Sequence, residues 1–418
     1  MNESFGPRIS EAIRFELDAL QADQVRFLSE IVKMPSDNPP GDCTAHAMRT
    51  AELLELMGFT VERHQVPEAV VRANGMVSAT NLIVRRRFGD GPIVALNAHG
   101  DVVPPGEGWA RPPYGAEVAD GWMYGRGVAV SKSDFATYAF ALLALEPIKS
   151  FLKGTVELHF TYDEETGGEI GPAYILQEGL SKPDLVIAAG FSYAVVNGHN
   201  GCLHLEVQVD GRSAHAAKPL TGVDALQATT AILTRLYEWR GSLAGRVSAV
   251  AGIGSPQLTV GLITGGVNTN VVPDKVVFRL DRRFIPEENG SEVEAELNTI
   301  IQAAAGEHPQ VQVTVRRILL AEPLLPLPGG EALSRTLCRH ATQIMGEPVT
   351  TQGVPLYTDA RHYSSRGIPA ILYGAGPHTI EEANAHRADE RLSLADLTKA
   401  TRVIAMTLAD LLTTSQSA

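Results

Sequence analysis

Three short apolar runs constrain this chain more than any other feature, because each stops abruptly on polar residues able to do chemistry. PIVALNAHGD (92–101) ends on His99 and Asp101, and TVELHFTYDEE (155–165) ends on Asp163, Glu164 and Glu165. PAILYGAGPH (369–378) runs into a glycine-rich turn leading to His378 and His386. Short apolar runs of this kind read as buried strands. Ligand sites in open α/β sheets gather outside the carboxyl ends of strands. Segments far apart in sequence are therefore expected to converge.

The flanking sequence supplies the helices of such a fold. Apolar residues from Ile13 to Ile31 recur at three- and four-residue spacings and predict a helix from about Ile9 to Val32, broken at MPSDNPPGDC. A second helix, Ala45 to Met57, stops before Gly58 and leads into the strand FTVERHQV. From about His199 to Arg316 the pattern changes to alternating runs, LHLEVQVDG, PQLTVGLITGG, KVVFRLDRRF and VQVTVRRILL, with helices near Asp224–Trp239 and Ser291–Ala305. The expected fold class is α/β: a catalytic domain with a central mixed sheet, from residues 1–197 and 317–418, interrupted by an α+β insertion of ferredoxin-like type at 198–316. A length of 418 residues suits two domains.

Charge and cysteine content narrow the partners. The chain has 48 acidic against 35 basic residues, a net charge of −13, and no basic run, which disfavours nucleic acid. Its three cysteines form no C-x-x-C pair. No segment resembles a secretion signal or reaches about 18 uninterrupted apolar residues. The expectation is a cytoplasmic protein, away from membranes, acting on a small molecule.

His99 and Asp101 stand two apart at a strand end, so both side chains project to one side and one can orient the other. Glu164 and Glu165 are neighbours that point apart, so one carboxylate can hold a metal while the other accepts a proton from water. Taken alone, the first pair is equally compatible with a polar strand end, and adjacent acidic residues like the second are more often a solvated turn. GRGVAVSKSD (125–134) has neither the G-x-G-x-x-G spacing nor a phosphate-loop lysine, and Ser131 and Lys132 do not form an S-x-x-K dyad.

HGDVVP, GWARPPYGAEVADGWMYGRGVAVSK, DEETGG, GRSAHAAKPLTGVDA and NVVPD, followed by the His386 segment, resemble in order the motifs of one family of metallohydrolases. That family contains aminoacylases, acetylornithine deacetylase, succinyl-diaminopimelate desuccinylase and carboxypeptidase G. The resemblance implies that the insertion is a lid and dimerisation domain. It implies His99, Glu165 and His386 as metal ligands, Asp101 as the residue orienting His99, and Glu164 as general base. It also implies His215 as a lid histidine steadying the oxyanion, with Asn270 and Arg361 facing the substrate, and a homodimer or larger homo-oligomer.

The chain departs from the family pattern twice. Val130 occupies the place of a metal-bridging aspartate in G-R-G-x-x-D-x-K, and AGFSY (189–193) replaces an element with another metal carboxylate. Two ions about 3.5–4 Å apart need a shared anion. One divalent transition ion per subunit, Mn, Zn, Fe or Co, is therefore expected, bound by His99, Glu165 and His386. The resemblance extends to an aminohydrolase of nitro-substituted aromatic amines, implying conversion of 5-nitroanthranilate to 5-nitrosalicylate and ammonia. The alternatives are an N-acyl amino acid amidohydrolase or dipeptidase and, from another class, an inactive relative that binds a small carboxylate.

Overall fold

The computed structural model describes residues 5–413, which divide into two compact units. The first comprises residues up to 197, 326–352 and 358 onward; the second comprises 198–325 and 353–357. The insertion thus ends later than the expected 316, which falls inside the strand Gln312–Ala321. That strand pairs with Gly201–Asp210 along its whole length, and a register shift between Arg317 and Leu319 lets the pairing run on to Ala321.

The first unit is built on a mixed eight-stranded sheet. Its order is Val61–Gln65, Thr80–Arg87, Thr155–Thr161, Ile93–His99, Leu185–Ala188, Ala370–Leu372, Val195–His199 and Thr351–Val354. The four strands from Thr155–Thr161 to Ala370–Leu372 are mutually parallel, buried on both faces and rich in Val, Ile and Leu. Helices Phe5–Val32, Lys132–Leu143, Glu331–Met345 and Leu394–Leu412 share one apolar core with these strands. Register decides the position of the site. His99 lies directly beside Thr161, Asn97 beside Ala188, and Ala188 beside Leu372. The segments after these residues, 100–101, 162–165, 189–193 and 373–376, consequently leave the sheet at one edge.

A small three-stranded sheet, Glu117–Ala119, Trp122–Tyr124 and Arg391–Ser393, joins the GRGVAV loop to the segment carrying His386. Its hairpin turns on Asp120 and Gly121, both with positive φ, as a two-residue turn between twisted strands requires. The second unit has a four-stranded antiparallel sheet in the order Gln257–Gly265, Lys275–Phe284, Gly201–Asp210, Gln312–Ala321. Helices Ala225–Ser242 and Gly290–Gly306 pack on it, with Asp224 and Asn289 accepting hydrogen bonds from their first-turn amides. Among the described residues, no helix is long and apolar enough to cross a membrane.

Candidate metal centre and active site

Asp101 organises the first unit's site. Its wholly buried carboxylate accepts hydrogen bonds from the backbone amides of Glu164 (3.2 Å) and Glu165 (3.1 Å) and from Asn38 Nδ2 (2.9 Å). His99 Nδ1 faces two acceptors of Asp101. It lies 3.0 Å from the backbone carbonyl of Asp101 and 3.4 Å from Asp101 Oδ1, so the carbonyl is the nearer acceptor. The carboxylate chiefly fixes the turn that presents the two glutamates. Ser131 Oγ accepts the His99 amide at 3.0 Å, tying the helix start at Lys132 to the strand end.

These supports bring His99, Glu164 and Glu165 together, each with a donor atom within 4.8 Å of the other two. His99 Nε2 is 3.9 Å from Glu164 Oε2, and His386 Nε2 is 3.5 Å from Glu165 Oε1. Two ligands bound to one tetrahedral ion at about 2.0–2.1 Å stand about 3.3–3.4 Å apart, close to the His386–Glu165 spacing. His386 adopts a positive φ of 62°. Nearby, Glu390 receives Arg126 Nη1 at 2.5 Å and the Ala129 amide at 3.1 Å, and its carbonyl receives the Gly125 amide at 2.9 Å. The loop containing Val130 and the segment containing His386 are thereby fastened together.

The electrostatics call for a cation. Burial pushes the Glu164 carboxyl well above the usual range; His99 opposes this, while Glu165, Asp359 and Asp101 add to it. Burial disfavours charge on His99, yet Glu164, Asp101 and Glu165 outweigh it and raise that imidazole well above its ordinary value. The Glu165 hydrogen bond likewise raises His386. Burial lifts Asp359 to about 7, with His99 opposing and Asp101 contributing. Asp163 Oδ1 is buried without a hydrogen-bond partner, while Oδ2 accepts the Ile170 amide at 2.6 Å. Buried carboxylates around the buried His99 imidazole, with the exposed His386 beside Glu165, fit a divalent ion of the Zn, Mn, Fe or Co type.

The other expected site residues are distributed as follows. Arg361 does not face an open site: it is buried, donates to the Gly167 carbonyl and lies 3.8 Å from Glu169 Oε1. His362 Nε2 reaches the same carbonyl at 2.8 Å, so both side chains brace the turn after Glu165. In the second unit His215 and Asn270 are exposed neighbours, joined by a bridge from His215 to Val271 and by the Ala216 amide donating to the Asn270 carbonyl at 2.9 Å. Asn38, Asp163 and Asp359 were not expected as site residues. Asp163 did stand in the acidic strand end, whereas only the fold connects Asn38 to Asp101.

Val130 is half-buried beside Gly376, where a Cβ would lie 3.2 Å from Val130 Cγ2 and 2.5 Å from the Gly190 carbonyl oxygen. The Gly376 amide donates to that carbonyl at 2.9 Å, and the Ser192 amide and hydroxyl donate to the Gly376 carbonyl at 3.0 and 2.8 Å. The two positions of departure therefore pack around one glycine.

Fold and site together define a metallohydrolase of C–N amide bonds. The chain belongs to the peptidase family M20/M25/M40, whose model matches residues 95–410. A succinyl-diaminopimelate desuccinylase of Rhizorhabdus wittichii is 28% identical over 388 residues, covering 90% of this chain and 94% of its own. Among solved structures, an M20 metallo-carboxypeptidase from Sulfolobus solfataricus superposes with a TM-score of 0.75 at 18% identity, covering 92% of this chain and 98% of that one. A Bacillus subtilis protein described as a dinuclear metal binding peptidase of the M20 family gives 0.67 at 16% identity, covering 94% and 99%.

Proposed function

We propose that this protein hydrolyses the amide bond of an N-acyl amino acid or a dipeptide, with Glu164 as the general base. The convergence of His99, Glu164 and Glu165 on one turn organised by Asp101 carries this reading. His99, Glu165 and His386 would hold one divalent ion, which when bound supplies Lewis acidity toward water and the scissile carbonyl. Glu164 takes the proton from the attacking water and passes it to the leaving amine nitrogen. Asp101 and Asn38 fix the direction of both glutamates, and the Arg361 and His362 contacts to Gly167 keep their turn from relaxing. His215 and Asn270, on the second unit, are assigned to the substrate carboxylate and the developing oxyanion.

This amide reading is preferred to the expected aromatic deamination because the family and the desuccinylase relative point to amide bonds. Deamination of 5-nitroanthranilate stays as a second reading on one observation, the contact of Val130 with Gly376 beside Gly190, where both departures from the family pattern meet. Purified protein supplied with Zn or Mn should release amine from N-succinyl or N-acetyl amino acids, or split dipeptides, and leave 5-nitroanthranilate unchanged. Turnover of 5-nitroanthranilate alone replaces the first reading with the second; turnover of nothing in the panel supports the inactive relative.

The assembly we propose is a homodimer. Gln257–Gly265 is an edge strand of the second unit's sheet, with Leu262 60% and Ile263 50% exposed, a surface suited to strand pairing between copies. Light scattering should give twice the chain mass, and Leu262→Lys should give the monomer.

A further inference from the structure

We infer a second metal site, selective for zinc, on the second unit's four-stranded sheet, formed by Cys202, His204 and Asp281. Neither the proposed active site nor the family motifs include these residues. Cys202 and His204 alternate onto the same sheet face, opposite the face whose Leu203, Leu205 and Val207 enter the core. Antiparallel register then places Asp281 directly across from His204, and Arg283 directly across from Cys202.

The contacts have the geometry of a coordination site. Cys202 Sγ and His204 Nε2 are 3.2 Å apart, His204 Nε2 and Asp281 Oδ2 3.1 Å, and Cys202 Sγ and Asp281 Oδ1 3.9 Å. The same ring nitrogen faces both the sulfur and the carboxylate. A single N–H there cannot point along both directions, whereas one lone pair on that nitrogen can share a common centre with the other two donors. Each of the three residues offers one donor atom within 4.8 Å of the other two, a spread that one ion with bonds of about 2.0–2.2 Å to nitrogen and oxygen and about 2.3 Å to sulfur can span. A thiolate, an imidazole and a carboxylate together suit zinc better than the harder Mg, Ca or Mn.

The surroundings support the same assignment. Arg283 Nε donates to Asp281 Oδ1 at 2.9 Å and Oδ2 at 3.2 Å, and Nη2 to Oδ2 at 3.1 Å, so the carboxylate is fixed in place. It also offsets one of the two anionic donors. His204 and Asp281 keep 33% and 32% side-chain exposure, giving solvent access to a fourth position. Zinc bound there joins the two central strands, Gly201–Asp210 and Lys275–Phe284, and braces the unit that carries His215 and Asn270.

The test uses the full chain, stripped with a chelator and titrated with Co(II). None of the proposed active-site ligands is a thiol, and comparison with Cys202→Ser separates a thiolate-to-cobalt charge-transfer band in the near ultraviolet due to Cys202 from any due to Cys43 or Cys338. We expect the band in the wild type and in Glu165→Gln, and its loss in Cys202→Ser, which should also bind one zinc fewer per chain while keeping hydrolytic activity. His204→Ala, which retains the thiol, should weaken zinc at this site by at least about tenfold and decides the matter if Cys202→Ser is insoluble. No band in the wild type, a band that survives Cys202→Ser, or equal zinc content in the two proteins overturns the inference. None of these outcomes depends on which amide the enzyme cleaves.

Discussion

Replacing Asp101 by Asn tests whether its carboxylate is the organiser of the active site. Oδ2 accepts from Asn38 Nδ2 and the Glu165 amide, and Oδ1 accepts from the Glu164 amide and faces His99 Nδ1 at 3.4 Å. An Asn whose oxygen keeps the two-bond side must turn its NH2 toward the Glu164 amide, setting donor against donor in a fully buried place. Losing one charge-assisted hydrogen bond and leaving that amide unsatisfied costs about 2–4 kcal/mol of stability. The affected amide belongs to the proposed general base, so its carboxylate should also move. Turnover and metal affinity should each fall by about 10–100-fold, the effect typical of groups that position metal ligands. The experiment measures urea unfolding, kcat/KM and Zn affinity on one preparation of Asp101→Asn. Asp101→Glu, which keeps the charge with a longer reach, should recover part of the stability and little of the turnover. Activity and metal affinity within twofold of wild type, despite the expected loss of stability, would refute the organising role.

Glu164→Gln should lower kcat by about 10²–10⁴-fold while a substrate-analogue carboxylate still binds with near wild-type affinity, measured by calorimetry. Equal loss of binding and turnover would instead mark Glu164 as structural. With Cys202→Ser as background, metal analysis should find one ion per chain, released by mild chelators with loss of activity and restored by Zn or Mn; a content near two refutes the mononuclear reading. Glu157 supplies a pH test away from the site. Burial opposes its charge, but hydrogen bonds from His159 and Ser181 and the Arg85 guanidinium hold its pKa at about 2, below its ordinary 4.5. Its stabilising contribution, about 3 kcal/mol, is therefore present above about pH 4.5 and lost as pH falls toward 2. Urea midpoints of Glu157→Gln should converge on wild type across that interval; a constant separation of the two curves contradicts the assignment.

The sequence made the site legible wherever chemistry sat at the end of a regular element. His99, Asp101, Glu164 and Glu165 follow buried strands whose apolar runs are plain, and parallel register brings strand ends together without further information. Contacts made across long separations were not legible. Asn38 lies in a proline-rich break and reaches Asp101 across 63 positions, so no local pattern marks it. Arg361 illustrates the converse: a motif position implied a substrate contact, but the fold turns its guanidinium into the Gly167 carbonyl. The insertion's end was missed by nine residues because the bulge between Arg317 and Leu319 interrupts the alternation while the ladder continues to Ala321.

Val130 acquires its meaning only in three dimensions. In the sequence, Val130 and the 189–193 segment are two independent departures, and either could be a local accident. In the fold they touch the same glycine, Gly376, and the segment's own hydrogen bonds close around it. On the one-metal reading proposed above, a carboxylate restored at one position alone would still lack its counterpart at the other, so the two departures act as a unit. The retained donors are those whose supports are also retained: Asp101 for the glutamate turn, Ser131 for His99, and Glu390 for the loop beside His386. Random decay would be expected to affect supports and ligands alike. The one-metal reading proposed above accounts for supports that are kept around His99, Glu165 and His386 while Val130 packs on Gly376.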